Sequence, residues 1–230
     1  MNVVELPTES DPVRVVQGDC LDVLRSLPDG CVDAVITDPP YGLGIKYQGY
    51  DDTRENLAQL IAGFLPECRR ISRRVFVTPG QSQIGLYPPP DWVLAVTWDT
   101  TGSFGKYGYS QWMPVLAYGN DVEGFGRVNG LLKSDLIRFS GGGGVGFMRR
   151  EKNTHPCPKP LNVMRILVRR LTNSGELILD PFAGSGTTGI AAVSENRRCL
   201  LVEKEPAYAD ICRRRVREAM GTGLLAGLDV

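Results

Sequence analysis

The chain has 230 residues, enough for one sizeable α/β core, and its 42% hydrophobic and 23% charged residues are ordinary for a globular protein. Lys and Arg total 26 and Asp and Glu total 26, so a strongly basic or acidic surface is excluded and any basic site must be local. No apolar run is long enough to cross a bilayer, and the N-terminus lacks the charged start and apolar stretch of a signal peptide. Six widely spaced cysteines with no C-x-x-C pair, beside a single histidine, argue against a metal site and for reduced thiols in the cytoplasm.

Strand and helix patterns alternate along the chain. Val13 to Val16 reads as a strand ending at Gly18-Asp19, and Leu21 to Leu27 as a helix closed by Pro28-Asp29-Gly30. Val32 to Thr37 reads as a buried strand that Pro39-Pro40 stops. Thr53 to Ile71 carries Leu57, Leu60, Ile61, Phe64 and Leu65 at helical spacing, with Thr53 or Asp52 able to cap its start. Val75 to Val77, Trp92 to Trp98 and Trp112 to Tyr118 are strands. From Gly119 to Pro158, with Gly141 to Gly144 inside, periodicity is weak, and a mobile loop or small insert is expected. Then come a helix at Leu161 to Leu171, a strand at Leu177 to Leu179, a helix at Gly186 to Val193, a strand at Cys199 to Val202 and a helix at Pro206 to Ala219. Such alternation predicts an α/β fold with a mostly parallel sheet and helices on both faces.

In open α/β sheets, ligands sit beyond the carboxyl ends of the strands. Asp19, Asp38, Asp180 and Glu203 each stand at or just after a strand end. Any one of them could be a helix cap, but four acids along one rim point to a ligand with hydroxyl or amino donors. Gly184, Gly186 and Gly189 keep the G-x-G-x-x-G spacing, and the first two are expected to let backbone approach a ligand. Glu203 follows on the next strand, as an acid that grips ribose hydroxyls does. That pairing suggests an adenosine-bearing cofactor, although Asp180-Pro181-Phe182 does not look like a dehydrogenase turn.

Asp38-Pro39-Pro40-Tyr41-Gly42 carries the chemistry. An exocyclic amino nitrogen is a poor nucleophile because its lone pair is delocalised into the ring. Acceptors on its hydrogens, the Asp38 carboxylate and the Pro39 carbonyl, would free that lone pair. Two prolines stiffen the loop, and Tyr41 offers a flat face for an extruded base.

These residues resemble the DNA amino-methyltransferases, in the permuted β-group order. Four blocks carry the likeness: Gln17-Gly18-Asp19-Cys20, Val32 through Gly42, His155-Pro156-Cys157-Pro158-Lys159-Pro160, and Asp180 through Glu203. The resemblance implies a Rossmann-like S-adenosylmethionine-dependent methyltransferase fold with no metal, acting on double-stranded DNA. Residues 1–118 would be the catalytic half, 119–154 a short target-recognition insert and 155–230 the cofactor-binding half. Asp38, Pro39, Pro40 and Tyr41 would act on the target amine. Asp180, Phe182, Gly184, Ser185, Gly186 and Thr187 would surround the methionine part of the cofactor, and Glu203 its ribose. Asp19 and Cys20 would lie near its adenine. Lys159 would reach its carboxylate, with His155 shaping that loop. An Asp at the first tetrad position implies adenine N6 as the acceptor, with cytosine N4 as the alternative.

Arg127, Lys133, Arg138, Arg149, Arg150 and Lys152 are the candidates for DNA contact. So short an insert fits a short target or a homodimer that shares recognition. The other basic clusters, Arg69 to Arg74 and Arg213 to Arg217, read as solvated helix faces. One departure is Trp112, in a place that the family fills with an acid. Three rival readings are weighed. A cysteine nucleophile at Cys157 would make the Asp38 loop unnecessary. Protein- and RNA-directed methyltransferases place an Asn-led loop after the cofactor block. A silent DNA-binding relative would not need Asp38, Tyr41 and Glu203 together.

Overall fold

The computed structural model describes residues 4–47, 49–98, 104–105, 108–119, 127–128, 131–132, 134–139 and 159–221. In chain order the elements are β1 (Val13–Gln17), α1 (Cys20–Ser26), β2 (Ala34–Thr37), β3 (Lys46–Tyr47), β4 (Tyr50–Asp51), α2 (Arg54–Ile71), β5 (Val75–Val77), β6 (Trp92–Trp98), β7 (Phe104–Gly105), β8 (Gly108–Tyr109), β9 (Trp112–Tyr118), β10 (Arg127–Val128), β11 (Leu131–Leu132), β12 (Leu136–Phe139), α3 (Leu161–Leu171), β13 (Leu177–Asp180), α4 (Thr187–Ser194), β14 (Arg198–Glu203) and α5 (Pro206–Gly221). A short 3-10 turn at Gln81–Leu86 follows β5.

Eight strands form one sheet in the order β1-β14-β13-β2-β5-β9-β6-β12. The pairings are parallel from β1 to β5 and again between β6 and β12, and antiparallel on both sides of β9. The sheet is thus mostly parallel, as expected. The last two strands of the chain, β13 and β14, lie between the first two.

The apolar runs explain the layering. In β13, Ile178 packs on the face that carries α3, α4 and α5, while Leu177 and Leu179 pack on the face that carries α1 and α2. Strand β14 alternates likewise: Cys199 and Leu201 face one layer, Leu200 and Val202 the other. A strand buried on both faces has no polar side, which is why these segments read as continuous hydrophobic runs.

Helix α2 begins where Thr53 caps it, its side-chain oxygen accepting the Asn56 N–H at 3.1 Å. It continues through Pro66, which lies on the exposed side, as does Ala62, whose carbonyl loses its helical donor there. Leu57, Ile61, Phe64 and Leu65 fill the opposite side.

Three expectations are corrected. Within Gly119 to Pro158, Leu136–Phe139 is not loop: it is the edge strand β12, with Ile137 and Phe139 buried and Leu136 and Arg138 exposed. The Val32 to Thr37 strand is shorter, because Val32 makes only an isolated bridge to Ser72 before β2 begins at Ala34. Arg74 is not on a solvated face. It is buried, paired to Glu176 at 2.8 Å, and it donates to the carbonyls of Asp33 and Leu171.

Gly186 precedes α4 with φ +82°, and a Cβ there would stand 2.7 Å from the Cys212 sulfur of α5. Its bare Cα therefore lets two helices approach. Gly186→Ala meets both the strained φ and that contact, so a loss of about 1–3 kcal/mol is expected in urea unfolding. An unchanged midpoint would show that α5 yields freely.

Candidate active site

Four adjacent parallel strands, β1, β14, β13 and β2, end on one rim, and the acids foreseen there follow in that spatial order: Asp19, Glu203, Asp180, Asp38. One pocket is lined by all four. Its walls are Pro39, Pro40 and Tyr41 on the β2 side, Phe182 to Ser185 in the middle and Tyr50 from the β3–β4 hairpin.

Asp180 is 2% exposed. Its Oδ1 accepts the Thr37 hydroxyl at 2.7 Å and the Phe182 N–H at 3.0 Å, and its Oδ2 accepts the Thr188 hydroxyl at 2.6 Å. Burial outweighs these donors and pushes its pKa up to about 6. This carboxyl lines the pocket but is spent on joining β13, β2 and α4.

Glu203 holds the Gly184 N–H on Oε2 and the Glu205 N–H on Oε1, both at 2.8 Å. Each oxygen keeps a further lone pair. Burial raises its pKa, although both N–H donors pull it down. Asp19 differs. Burial pushes its pKa up, but the Leu21 N–H at 2.9 Å and Lys204 at 3.1 Å outweigh it and hold the group below the usual range. Burial and the Asp19 charge push the Cys20 thiol up to about 12, so it lines the pocket as a neutral group.

On the β2 side, the Asp38 Oδ1 accepts the Tyr41 hydroxyl at 2.6 Å and the Thr78 hydroxyl at 2.8 Å. Lys159 Nζ donates to Oδ2 at 2.6 Å, also contacts the Tyr41 hydroxyl, and stands 4.8 Å from the centre of the Tyr41 ring. The loop beyond Tyr41 is held by Asp52, a carboxylate only 1% exposed, which accepts the N–H groups of Gly42, Leu43 and Ile45. Asp52 thus ties the loop down, while Thr53 alone caps α2.

Asp19, Cys20, Asp38, Pro39, Pro40, Tyr41, Lys159, Asp180, Phe182, Gly184, Ser185, Thr187 and Glu203 all line this one pocket. Gly186 does not; it serves the α4–α5 contact. Lys159 was expected at a cofactor carboxylate, yet it pairs with Asp38. Phe182 is braced edge-on by Phe64 at 5.1 Å, and Ser185 accepts Arg215 at 2.7 Å. Arg138 is exposed on β12, four strands from β2. Lys133, Arg149, Arg150, Lys152, His155 and Cys157 lie outside the described residues, as does the side chain of Arg127. Among the described residues, no helix is long and apolar enough to cross a membrane, and no cluster of three His, Cys, Asp or Glu could hold a metal.

The sequence reading missed Thr78, Asp52 and Tyr50. Thr78 had a signal: it directly follows β5, next to β2, just as Asp38 follows β2. Asp52 had none, because its partners are backbone groups of a loop.

Comparison with known proteins agrees with this geometry. A family described as DNA methylase matches residues 133–214. The DNA adenine methyltransferase YhdJ of Escherichia coli (strain K12) is 24% identical over 243 residues, covering 88% of this chain and 82% of that protein. The chain is thus similar to DNA methyltransferases, over part of its length in the family match and over most of it in that relative. Two solved structures share the fold. The M1.HpyAVI–SAM complex superimposes with a TM-score of 0.64 at 21% identity, over 89% of this chain and 98% of that one. The cytosine-N4-specific PvuII DNA methyltransferase does so with 0.65 at 16% identity, over 95% and 94%. A Rossmann-like methyltransferase fold is therefore observed, as the sequence implied.

The folded Asp180 carboxyl keeps its proton to about pH 6, whereas an unfolded one releases it near 3.8. Stability contributed by this group is therefore full at low pH and falls as pH rises through that window. Asp180→Asn removes the dependence. In urea unfolding between about pH 4 and about pH 7, the parent protein should lose stability relative to the variant and then level off. A difference that grows the other way would mean that Asp180 is ionised throughout.

Proposed function

We propose that the protein transfers a methyl group from S-adenosylmethionine to the exocyclic N6 of an adenine flipped out of double-stranded DNA. The observation that carries this is the adjacency of two half-sites: an acid-tipped strand with a proline-stiffened aromatic loop beside a glycine-cornered pocket that ends on Glu203.

The pocket suits the cofactor on its own chemistry. Glu203 has lone pairs left for the two hydroxyls of a ribose. The Tyr50 hydroxyl, buried against the pocket, has no partner among the described residues and waits for a polar ligand atom. Asp19 and Cys20 border the far side, where a purine would lie, and Phe182 to Ser185 border the middle. When bound, S-adenosylmethionine supplies a methyl group on a sulfonium, a strong electrophile that needs no metal to activate it.

The chain's own residues make the nucleophile. Tyr41, held by its bond to Asp38, offers a face for the base to stack on. The Asp38 carboxylate and the Pro39 carbonyl accept the two amino hydrogens, which draws the nitrogen toward tetrahedral geometry. The lone pair so freed would take the methyl group, whose bonding electrons would stay with the departing sulfur, and one amino proton would pass to solvent. Cytosine N4 poses the same electronic problem, so the choice of adenine rests on Asp38 leading the tetrad and on the likeness to an adenine methyltransferase. We place the target-recognition role in residues 119–154, with exposed Arg138 among its phosphate contacts.

Long-read sequencing of DNA from cells expressing the protein, with mass analysis of its nucleosides, should reveal N6-methyladenine at one short site. N4-methylcytosine alone would move the acceptor to cytosine, and unmodified DNA would overturn the assignment. Asp38→Ala should cut transfer by about a hundredfold or more and leave cofactor affinity by calorimetry unchanged. Glu203→Ala should do the reverse, weakening cofactor binding by about 10- to 100-fold.

A further inference from the structure

We propose that Lys159 is a displaceable placeholder for the target amine, seated on Asp38 until a base takes its position. The inference rests on the methyltransferase reading above.

Three observations carry it. The Asp38 Oδ1 is filled by the Tyr41 and Thr78 hydroxyls, so Oδ2 is the oxygen left to receive an amino hydrogen, and that is where the Lys159 ammonium sits at 2.6 Å. The same Nζ contacts the Tyr41 hydroxyl and lies 4.8 Å from its ring centre, so it crowds the hydroxyl end of the ring on which a base would stack. The pair is shielded, with side chains only 14% and 20% exposed, so water screens the attraction weakly.

Chemistry supplies the reason to leave. Methyl transfer moves positive charge from sulfur to the amine nitrogen. An ammonium held on the same carboxylate opposes that charge and competes for the same lone pairs. Between turnovers it has a use, since Asp38 stands near enough to the buried Asp180 for its charge to raise that carboxyl's pKa. A resident cation neutralises Asp38 while no base is present. Lysine is well suited to such a role, being a compact charge on a flexible stem, here two residues before α3.

Lys159→Met tests the idea on a duplex carrying the site found by sequencing, with 2-aminopurine in place of the target base. Without cofactor, the variant should show at least about threefold more 2-aminopurine fluorescence than the parent protein, because base entry no longer competes with Nζ. Its KM for DNA should fall in proportion, and its cofactor affinity should stay unchanged. Lys159→Arg, which keeps the charge, should resemble the parent. Unchanged fluorescence with weakened cofactor binding would instead place Lys159 on the cofactor. Unchanged fluorescence with a lowered kcat would make it a fixed counterion of Asp38. Either outcome overturns the placeholder while methyl transfer by the parent keeps the function standing. If the parent methylates no DNA, the function falls and the placeholder with it. Thermal melting of each variant confirms that the fold is intact.

Discussion

A carboxyl group shut away from water sits where the two halves of the chain meet. Asp180 ends β13, takes a hydroxyl from the last residue of β2 and another from the first turn of α4, and turns its own loop by accepting from Phe182. Removing these donors would strand a buried polar group, so the corner behaves as one piece. Because Thr37 is tied to Asp180, Asp38 one residue later holds a fixed distance from the Phe182 to Ser185 loop. The site thus depends on a residue that need not touch either reactant. Loop placement on such a scale matters, since small errors in the approach of reacting atoms cost orders of magnitude in rate.

Around this corner, the acids of the rim differ because their surroundings differ. Glu203 is held by two backbone N–H groups yet its pKa is raised by burial. Asp19 is pulled below its usual range by a backbone donor and Lys204. Asp38 is ringed by Tyr41, Thr78 and Lys159. Asp52 stands outside the pocket and holds the loop that follows Tyr41. The same carboxylate group is thus held in four different ways, and the partner groups decide how.

Much of this was legible in the sequence. Strands β2, β13 and β14 stood out because burial on both faces leaves no polar position. Helix α2 stood out because its apolar stripe and its Thr53 cap agree. The rim acids followed from a general rule about strand ends. Strand β12 escaped because four residues offer only two turns of an alternation, and an exposed Leu136 blurs even that. The contact that Gly186 opens between α4 and α5 was not foreseen, because a missing Cβ looks the same in the sequence whether a ligand or a neighbouring helix needs the room. The contact of Lys159 with Asp38 was not foreseen, because a long flexible side chain gives no sign in the sequence of which anion it meets.

The slotting of β13 and β14 between β1 and β2 also shapes how the protein comes to be folded. Among the described residues, strand β1 pairs only with β14, and their paired residues, such as Val13 and Cys199, stand far apart in the sequence. Strand β2 can pair with β5 early, but its other edge stays open until β13 arrives. A ribosome must therefore pass Glu203 before the central sheet can close. Until then an apolar strand edge is exposed, the kind of surface that slows folding and invites aggregation. The arrangement that brings four acids to one rim also makes the first strand wait for a partner made long after it.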